Sequence, residues 1–334
     1  MNIVFLNSFD RATEEDRIVT SQLSIGEADG VWQLVWSEPH EGKMEPTIWY
    51  SGTSWGELLT TFRHGVAVKL GEGYKPIIDG MLQDVSESQG RQHRSQLLAC
   101  YSDLYPNDNL YAMLNTWRRS RASADRKAPY FIATNRMLRL LSVYMPQTME
   151  ELLQLPGFGE NKIKQYGEEI ITLMQEQQRT HDFPLDWVKE HVSQEEYSQW
   201  LFKQKEIKYK QDMERLATHR QILEGVQQGY SIADLEHHCQ MSRRNIIIAV
   251  EALEREGYET DALIEAELRQ VPADEQAAIW SSMERGGERY LKPILLDVYG
   301  EIGLQGDQSS ILYERIRLVR IRYRRQRDVV QQAG

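Results

Sequence analysis

A glycine-containing turn between two helical patterns is the feature that most limits how this chain can fold. Residues 148–171 read TMEELLQLPGFGENKIKQYGEEII, and Thr148 and Glu151 have the spacing of a capping box at the start of a helix. Gly157 and Gly159 interrupt the apolar periodicity, which resumes directly after them. The pattern predicts two helices joined by a tight turn, and therefore a helical architecture for the middle of the chain.

The same turn has the chemistry to bind a phosphate group. The first amides of a helix have no acceptor within the helix, and the helix dipole favours an anion at that end. Gly157 and Gly159 have no Cβ to keep a phosphate away from the backbone, and Lys162 and Lys164 add positive charge. Such a helix-hairpin-helix contacts the sugar-phosphate backbone without reading base sequence. From this turn alone, an alternative stays open in which LPGFG only ends one helix and begins the next.

The whole segment resembles a known domain family. NLYAMLNTWRRSRASAD carries an apolar stripe at helical spacing, and TNRMLRLLSVYMP predicts a second helix that ends at a proline. From residue 101 to residue 177, LNTWRRSRA followed by APYFIATNRMLRLLSVYMPQTMEELLQLPGFGENKIKQYGEEII resembles the HRDC domain. That domain occurs at the C-terminus of RecQ-type helicases and of ribonuclease D. The resemblance implies a compact helical bundle and auxiliary nucleic-acid binding, without catalysis.

A basic cluster lies between the first two helices of this segment. Its members are Arg118, Arg119, Arg121, Arg126 and Lys127, and Asp125 is the one acid among residues 118–127. We expect these side chains to form a phosphate-binding patch, with a solvated helix end as the alternative. Residues 107–178 contain nine Lys/Arg and eight Asp/Glu, so the patch is local and its affinity should be modest.

The chain divides into regions of different pattern. The fold class that this division predicts is mainly α with a small N-terminal α+β domain, in which an HRDC-like helical bundle is followed by a helical domain with a helix-turn-helix. Four of the eight tryptophans lie in the first region, where they predict an aromatic core or, alternatively, a base-stacking platform. The predicted regions are a strand-rich α+β domain at 1–82, a linker at 83–96, the HRDC-like domain at 97–178, a long helical connector at 179–229 and a helical domain with an arginine-rich tail at 230–334.

The last region begins with a second motif, YSIADLEHHCQMSRRNIIIAVEALEREGY. Ser231 and Ser242 are placed to cap two helices on either side of the turn CQM. Arg243, Arg244 and Asn245 then occupy the start of the second helix, where a helix-turn-helix contacts bases and phosphates. The alternative is a helix pair used only for packing.

The rest of this region is similar to a helical domain appended to some bacterial RecQ-type helicases. LKPI and the later YERIRLVR carry that resemblance. Seven arginines lie within thirteen residues that begin inside YERIRLVR, and they predict either phosphate contacts or an outer helix face paired with nearby acids. These arginines are Arg315, Arg317, Arg320, Arg322, Arg324, Arg325 and Arg327.

Composition excludes several classes of function. A net charge of −11 argues against a protein that coats nucleic acid over its whole surface, although local basic patches remain compatible with it. Cys100 and Cys239 are isolated, so we expect neither a disulfide framework nor a zinc site, and a reducing cytoplasm fits. No run approaches the ~20 apolar residues of a membrane helix. The segment GFGENK lacks the spacing of a nucleotide-binding phosphate loop, and the first 82 residues lack the acidic cluster of an exonuclease.

The sequence therefore predicts a non-catalytic nucleic-acid-binding accessory protein, with no cofactor and no metal. We expect DNA rather than RNA as the ligand, and a helicase or another repair protein as a partner. The implied setting is DNA repair, recombination or replication. A protein-interaction scaffold with incidental basic patches is the alternative.

Overall fold

The structure, a computed structural model, describes residues 2–13, 17–78, 91–125, 127–179, 181–301 and 308–333. The chain is mainly helical, with a small antiparallel sheet at the N-terminus. It divides into two compact units, Met1–Tyr209 and Lys210–Gly334. No helix of the described ranges is both long and apolar enough to cross a membrane.

The N-terminal sheet is built from successive hairpins. The turns at Asp29–Gly30 and Glu41–Gly42 have positive φ at both positions, as the tightest hairpin turns require. The strand order is β4-β3-β2-β1-β5, and every described pair is antiparallel. The strands are β1 (Asn2–Ala12), β2 (Ile18–Ala28), β3 (Val31–His40), β4 (Lys43–Gly52) and β5 (Lys75–Pro76).

One helix covers one face of this sheet. Ser54 caps α1 (Trp55–Gly71) by accepting a hydrogen bond from the Glu57 N–H. The core between helix and sheet centres on Trp36, which is 2% exposed and stacks on Trp49 with ring centroids 5.2 Å apart. The predicted aromatic core is therefore present.

Six helices form the region that resembles an HRDC domain. A buried apolar cluster holds them together, with Leu114, Leu138, Leu141 and Tyr144 among its fully buried side chains. The helix that begins at Arg91 starts inside the predicted linker 83–96, of which residues 83–90 lie outside the described residues. The helices are α2 (Arg91–Leu104), α3 (Asp108–Ala124), α4 (Pro129–Ile132), α5 (Asn135–Tyr144), α6 (Met149–Leu153) and α7 (Glu160–Gln175).

A long helix follows a short connecting segment. The segment contains a 3₁₀ turn at Leu185–Trp187 and α8 (Val188–His191), and α9 then runs through Gln194–Gln227. The absence of glycine and proline between residues 193 and 224 predicts such a helix. The division between the two units falls within α9.

The second unit is a helical bundle with its own core. Ser231 and Asp234 form a reciprocal capping box at the start of its first short helix, and Gln240 ends that helix with a φ of 53°. Val250, Leu253, Ile316 and other buried side chains fill the centre. The helices are α10 (Ile232–Cys239), α11 (Arg243–Arg255), α12 (Asp261–Leu268), α13 (Ala273–Gly286), α14 (Leu291–Tyr299) and α15 (Gln308–Ala333).

Candidate nucleic-acid interface

The two glycines of the turn before α7 have different structural roles. Gly157 has a φ of +95°, and a Cβ added there would lie 2.9 Å from the Met137 Cγ, so the fold itself requires a glycine. Gly159 has an ordinary φ of −89°, and no atom lies within 4 Å of an added Cβ. The fold therefore tolerates a side chain at Gly159, and the space beside that residue is open.

The N-terminal end of α7 presents free amides next to this open space. Gly159 is the N-cap and provides no side-chain cap, while its carbonyl accepts hydrogen bonds from the Lys162 and Ile163 N–H groups at 3.0 and 3.1 Å. The N–H groups of Glu160 and Asn161 have no acceptor among the described residues. Two free amides with a helix dipole behind them can bind a phosphate oxygen.

An exposed aromatic pair lies beside the first turn of α7. Tyr130 and Phe131 are 62% and 60% exposed, and their ring centroids are 4.4 Å apart. The Lys162 Nζ donates to the carbonyl oxygens of Phe131 and Ile132 at 2.7 and 2.8 Å, which fixes α4 next to α7. Two large exposed rings form a surface on which nucleic-acid bases can stack.

The sequence interpretation did not assign Tyr130 and Phe131 to a site. A partial signal was present, because side chains of consecutive helical residues point about 100° apart, and a helix of four residues that buries Ile132 has little room to bury two large rings as well. Two large aromatic residues directly after Pro129, at the start of a four-residue helix, therefore indicate exposed rings.

The predicted basic patch is only partly available to a ligand. Arg121 forms ion pairs with Asp125 at 3.0 Å and with Glu169 at 2.9 Å. Lys127 is exposed, and its Nζ lies 3.3 Å from the Tyr166 hydroxyl and 3.5 Å from Asp125. Hydrogen bonding to Tyr166 and the neighbouring Asp125 carboxylate raise the pKa of Lys127, so this lysine stays charged.

Arg118 is a structural residue, and we remove it from the predicted patch. Its guanidinium is buried and donates to the Ala133 carbonyl at 2.9 Å, to the Asn135 side chain at 2.9 Å and to the Asn115 side chain at 2.7 Å. These bonds hold the segment around α4 to α3. A guanidinium with this many internal acceptors is not free to meet a phosphate.

The remaining predicted cations of this region have different environments. Arg119 and Lys164 are exposed and have no partner among the described residues. Lys162 is half-buried, and burial together with the charge of Lys127 lowers its pKa. Lys162 and Lys164 point about 200° apart around α7, so the two lysines do not form one charged face. Arg126 lies outside the described residues.

In the second unit the three residues predicted to contact DNA at the start of α11 have different environments. Arg243 forms an ion pair with the buried Glu267 and lies 3.4 Å from Glu314. We therefore remove Arg243 from the residues predicted to contact a DNA groove. Arg244 and Asn245 are exposed, and neither side chain forms a hydrogen bond or a close ion pair among the described residues, although the Arg244 charge acts on the Glu314 carboxylate.

The arginine-rich tail is paired with acids of its own unit. Glu251 is buried and accepts from Arg320 at 2.5 Å, Arg317 at 2.6 Å and Arg324 at 3.0 Å. The pairing of the tail arginines supports the alternative of an internal ion-pair face on α15. The other tail pairs are Arg315–Glu275, Arg322–Glu265, Arg324–Glu288, Arg325–Glu254, Arg325–Asp261 and Arg327–Glu288.

Comparison with known proteins identifies the region around α3 to α7. Residues 107–174 match the family model of the HRDC domain, so this part of the chain is an HRDC domain. The ATP-dependent DNA helicase RecQ of Haemophilus influenzae is 31% identical over 68 residues, which are 20% of this chain and 11% of that helicase. The ATP-dependent DNA helicase UvrD2 of Mycobacterium tuberculosis is 28% identical over 75 residues, 22% of this chain and 10% of that helicase. The chain therefore matches about a tenth of these relatives, and no solved structure matches it significantly.

Proposed function

We propose that this chain is a non-catalytic DNA-binding protein that works with a helicase in repair, recombination or replication. The exposed pair Tyr130 and Phe131, fixed beside the free amides of α7 within an HRDC domain, carries this proposal. The relatives that share the domain are DNA helicases, which favours DNA over RNA. Cys100 and Cys239 are both free thiols, which fits a reducing cytoplasm.

The arrangement suits a single strand. A phosphate oxygen accepts from the Glu160 and Asn161 amides, and Lys127 adds charge close to the same turn. The neighbouring bases stack on Tyr130 and Phe131, which a duplex with its bases paired inside cannot do. Binding of this kind follows the backbone and the base faces, so it should depend little on base sequence.

The second unit adds a separate contact in this proposal. Arg244 and Asn245 lie at the exposed start of α11, the second helix of the predicted helix-turn-helix. In such a motif this position enters the major groove, so the contact should favour duplex DNA.

A direct test uses the full chain and fluorescence anisotropy with labelled single-stranded DNA, duplex DNA and single-stranded RNA of one sequence. Tyr130→Ala with Phe131→Ala should weaken single-strand binding about tenfold or more, because stacking contributes ~1–3 kcal/mol per base. The salt dependence should stay unchanged, since no charge is removed. Tyr290→Ala is the matched control, because Tyr290 is 63% exposed in the second unit. Wild-type affinity in the folded double variant would refute the proposed site.

The non-catalytic part of the proposal has its own test. The chain has no phosphate-loop motif, and the HRDC domain is an accessory domain. The purified protein should hydrolyse no ATP with or without DNA, and it should degrade no RNA. An ATPase activity that copurifies with the chain and disappears in a point variant would contradict this part.

The scaffold alternative is supported by the pairing of the cations. Arg118, Lys162 and Arg243 all donate to acceptors within the chain, and the net charge is −11. A helicase bound through apolar contacts should stay bound as salt rises, whereas DNA bound through phosphates should dissociate. Salt titration of each complex therefore distinguishes the two functions.

A further inference from the structure

Among the described elements, α1 packs on one face of the N-terminal sheet and no helix packs on the opposite face. Strand register places three complete rows of side chains on this face, each crossing from β1 to β4. We call these twelve residues the open sheet face. The rows are Ile3, Gly26, Gln33 and Ser51; Leu6, Ser24, Val35 and Ile48; and Ser8, Gln22, Ser37 and Pro46.

The twelve residues of the open sheet face include no charged residue, and the oppositely charged Asp10 and Lys75 lie beside them in the next, incomplete row. Charged residues make up 27% of the chain, so about three would be expected among twelve positions. Large apolar side chains are exposed instead, with Ile3 at 60%, Leu6 at 49% and Ile48 at 59%. A solvated face of an antiparallel sheet is normally polar, while depletion of charge is typical of the centre of a protein interface. On this side of the sheet the described strands place one cation, Lys75, beside the complete rows and next to Asp10, so the face is poorly suited to nucleic acid.

The partner should meet the face of the sheet rather than its edge. The strand β4 pairs on one side only, with β3, so its other side is an edge. Pro46 has no N–H to donate there, and the register shift between Leu34 and Val35 bends the β3–β4 pair. Both features are known to block the addition of another strand.

We propose that the occupant is a second copy of this chain, packed sheet against sheet. The row from Leu6 to Ile48 crosses three strand spacings, about 14 Å at ~4.8 Å each. A two-fold axis parallel to the strands would place Leu6 of one copy against Ile48 of the second copy, and the same contact would occur twice. Ser24 and Val35 lie between them in the row, so no charge opposes a like charge across the interface.

The size of the face and the charge around it predict how this dimer behaves. Four strands and three rows cover about 400 Å² per copy, or about 800 Å² in total, which is less than a standard stable interface. The dimer should therefore be weak and reversible. Residues 1–78 contain eleven acids and six bases, a net charge of −5 in each copy. Salt screens that repulsion, so the dimer should tighten as salt rises, opposite to the salt dependence of DNA binding.

The test is sedimentation velocity of the full chain at low and at high salt over about 10 to 500 µM, which lies between the micromolar and millimolar dissociation constants of weak complexes. We expect concentration-dependent association that strengthens at high salt. Leu6→Glu with Ile48→Glu should abolish it, and Leu6→Thr with Ile48→Thr, which keeps good strand formers, should weaken it at least tenfold. Ile311→Glu is the control, because Ile311 is 51% exposed in the second unit.

Three results would overturn the proposal: a monomer at every concentration, association that weakens with salt, or a dimer unchanged in folded Leu6/Ile48 variants. Circular dichroism of both variant pairs reports on folding, and the threonine pair decides the question if the glutamate pair unfolds. None of these results depends on DNA binding, so a failure of this proposal would not contradict the proposed function, and the reverse also holds.

Discussion

Alanine at Gly157 and at Gly159 should separate folding from binding. At Gly157, alanine must adopt a φ of +95°, which costs ~1–2 kcal/mol in the left-handed region. Its Cβ would also lie 2.9 Å from the Met137 Cγ, and displacing a packed core side chain costs about 1 kcal/mol or more. We therefore expect Gly157→Ala to destabilise the HRDC domain by about 2–3 kcal/mol.

At Gly159 the same substitution should leave stability almost unchanged. The φ of −89° suits alanine, and restriction of the unfolded chain stabilises by ~0.4–1 kcal/mol. Alanine is a poorer N-cap than glycine by about the same amount, so the two effects offset each other. The new methyl group would stand in the open space where we propose that a phosphate approaches the Glu160 and Asn161 amides. Loss of one charge-assisted hydrogen bond, ~1.5–3 kcal/mol, weakens single-strand binding about tenfold to a hundredfold.

Two measurements decide this prediction. Hydrogen exchange of α5 and α7 reports the stability of the domain, and anisotropy with single-stranded DNA reports binding. Gly159→Ala that is folded and binds like wild type would show that no phosphate approaches this turn. Gly157→Ala with unchanged exchange would refute the conformational argument.

Three further predictions concern the second unit. Arg243→Ala should destabilise the second unit by about 3 kcal/mol, because the buried Glu267 loses its cation. Arg244→Ala should change stability by less than about 0.5 kcal/mol and should weaken only duplex binding. Equal urea midpoints for the two variants would contradict this prediction. Glu251→Ala should cost about 3–5 kcal/mol, since several arginines around it would lose their carboxylate; increased hydrogen exchange in α15 would show it. Burial lowers the pKa of His219 in the folded protein below its unfolded value of ~6.5. The neutral side chain therefore contributes to the free energy of unfolding above pH ~6.5, and this contribution should be lost as pH falls through the lower pKa of the folded state. His219→Asn should reduce this loss, and an unchanged pH profile of unfolding would refute that assignment.

Helix starts could be predicted from the sequence because caps are local. Ser231 and Ser242 accept hydrogen bonds from amides three residues ahead, as their spacing predicts. Thr148 accepts from the Glu151 N–H at 3.3 Å, so half of the predicted capping box is present. The Glu151 carboxylate accepts from the Gln147 N–H instead of from Thr148. A cap depends on only four residues, which is why the sequence predicts it well and misplaces only one bond.

The acceptors that bind the cations within the fold could not be predicted in the same way. Arg118 reaches Ala133, Lys162 reaches Phe131 and Arg243 reaches Glu267. Each acceptor is fifteen or more residues away in the chain, and tertiary packing alone brings it close. A sequence shows where positive charge lies, but it does not show which carbonyl or carboxylate binds that charge.

This pairing limits how strongly the proposed interface can bind. Among the described residues of 107–174 the exposed cations are Arg119, Lys127 and Lys164, and Lys127 already has an acidic neighbour. Each phosphate neutralised on a single strand contributes about 0.7 to the salt slope, so two or three contacts give a slope of about 1.4 to 2.1. Such a contact is weak alone. Joined to a helicase on the same strand, it would act at a high effective concentration and could raise the affinity of the whole assembly by about 10²-fold or more without any new contact. An auxiliary domain with few free cations is therefore better suited to hold a strand for a motor than to bind DNA by itself.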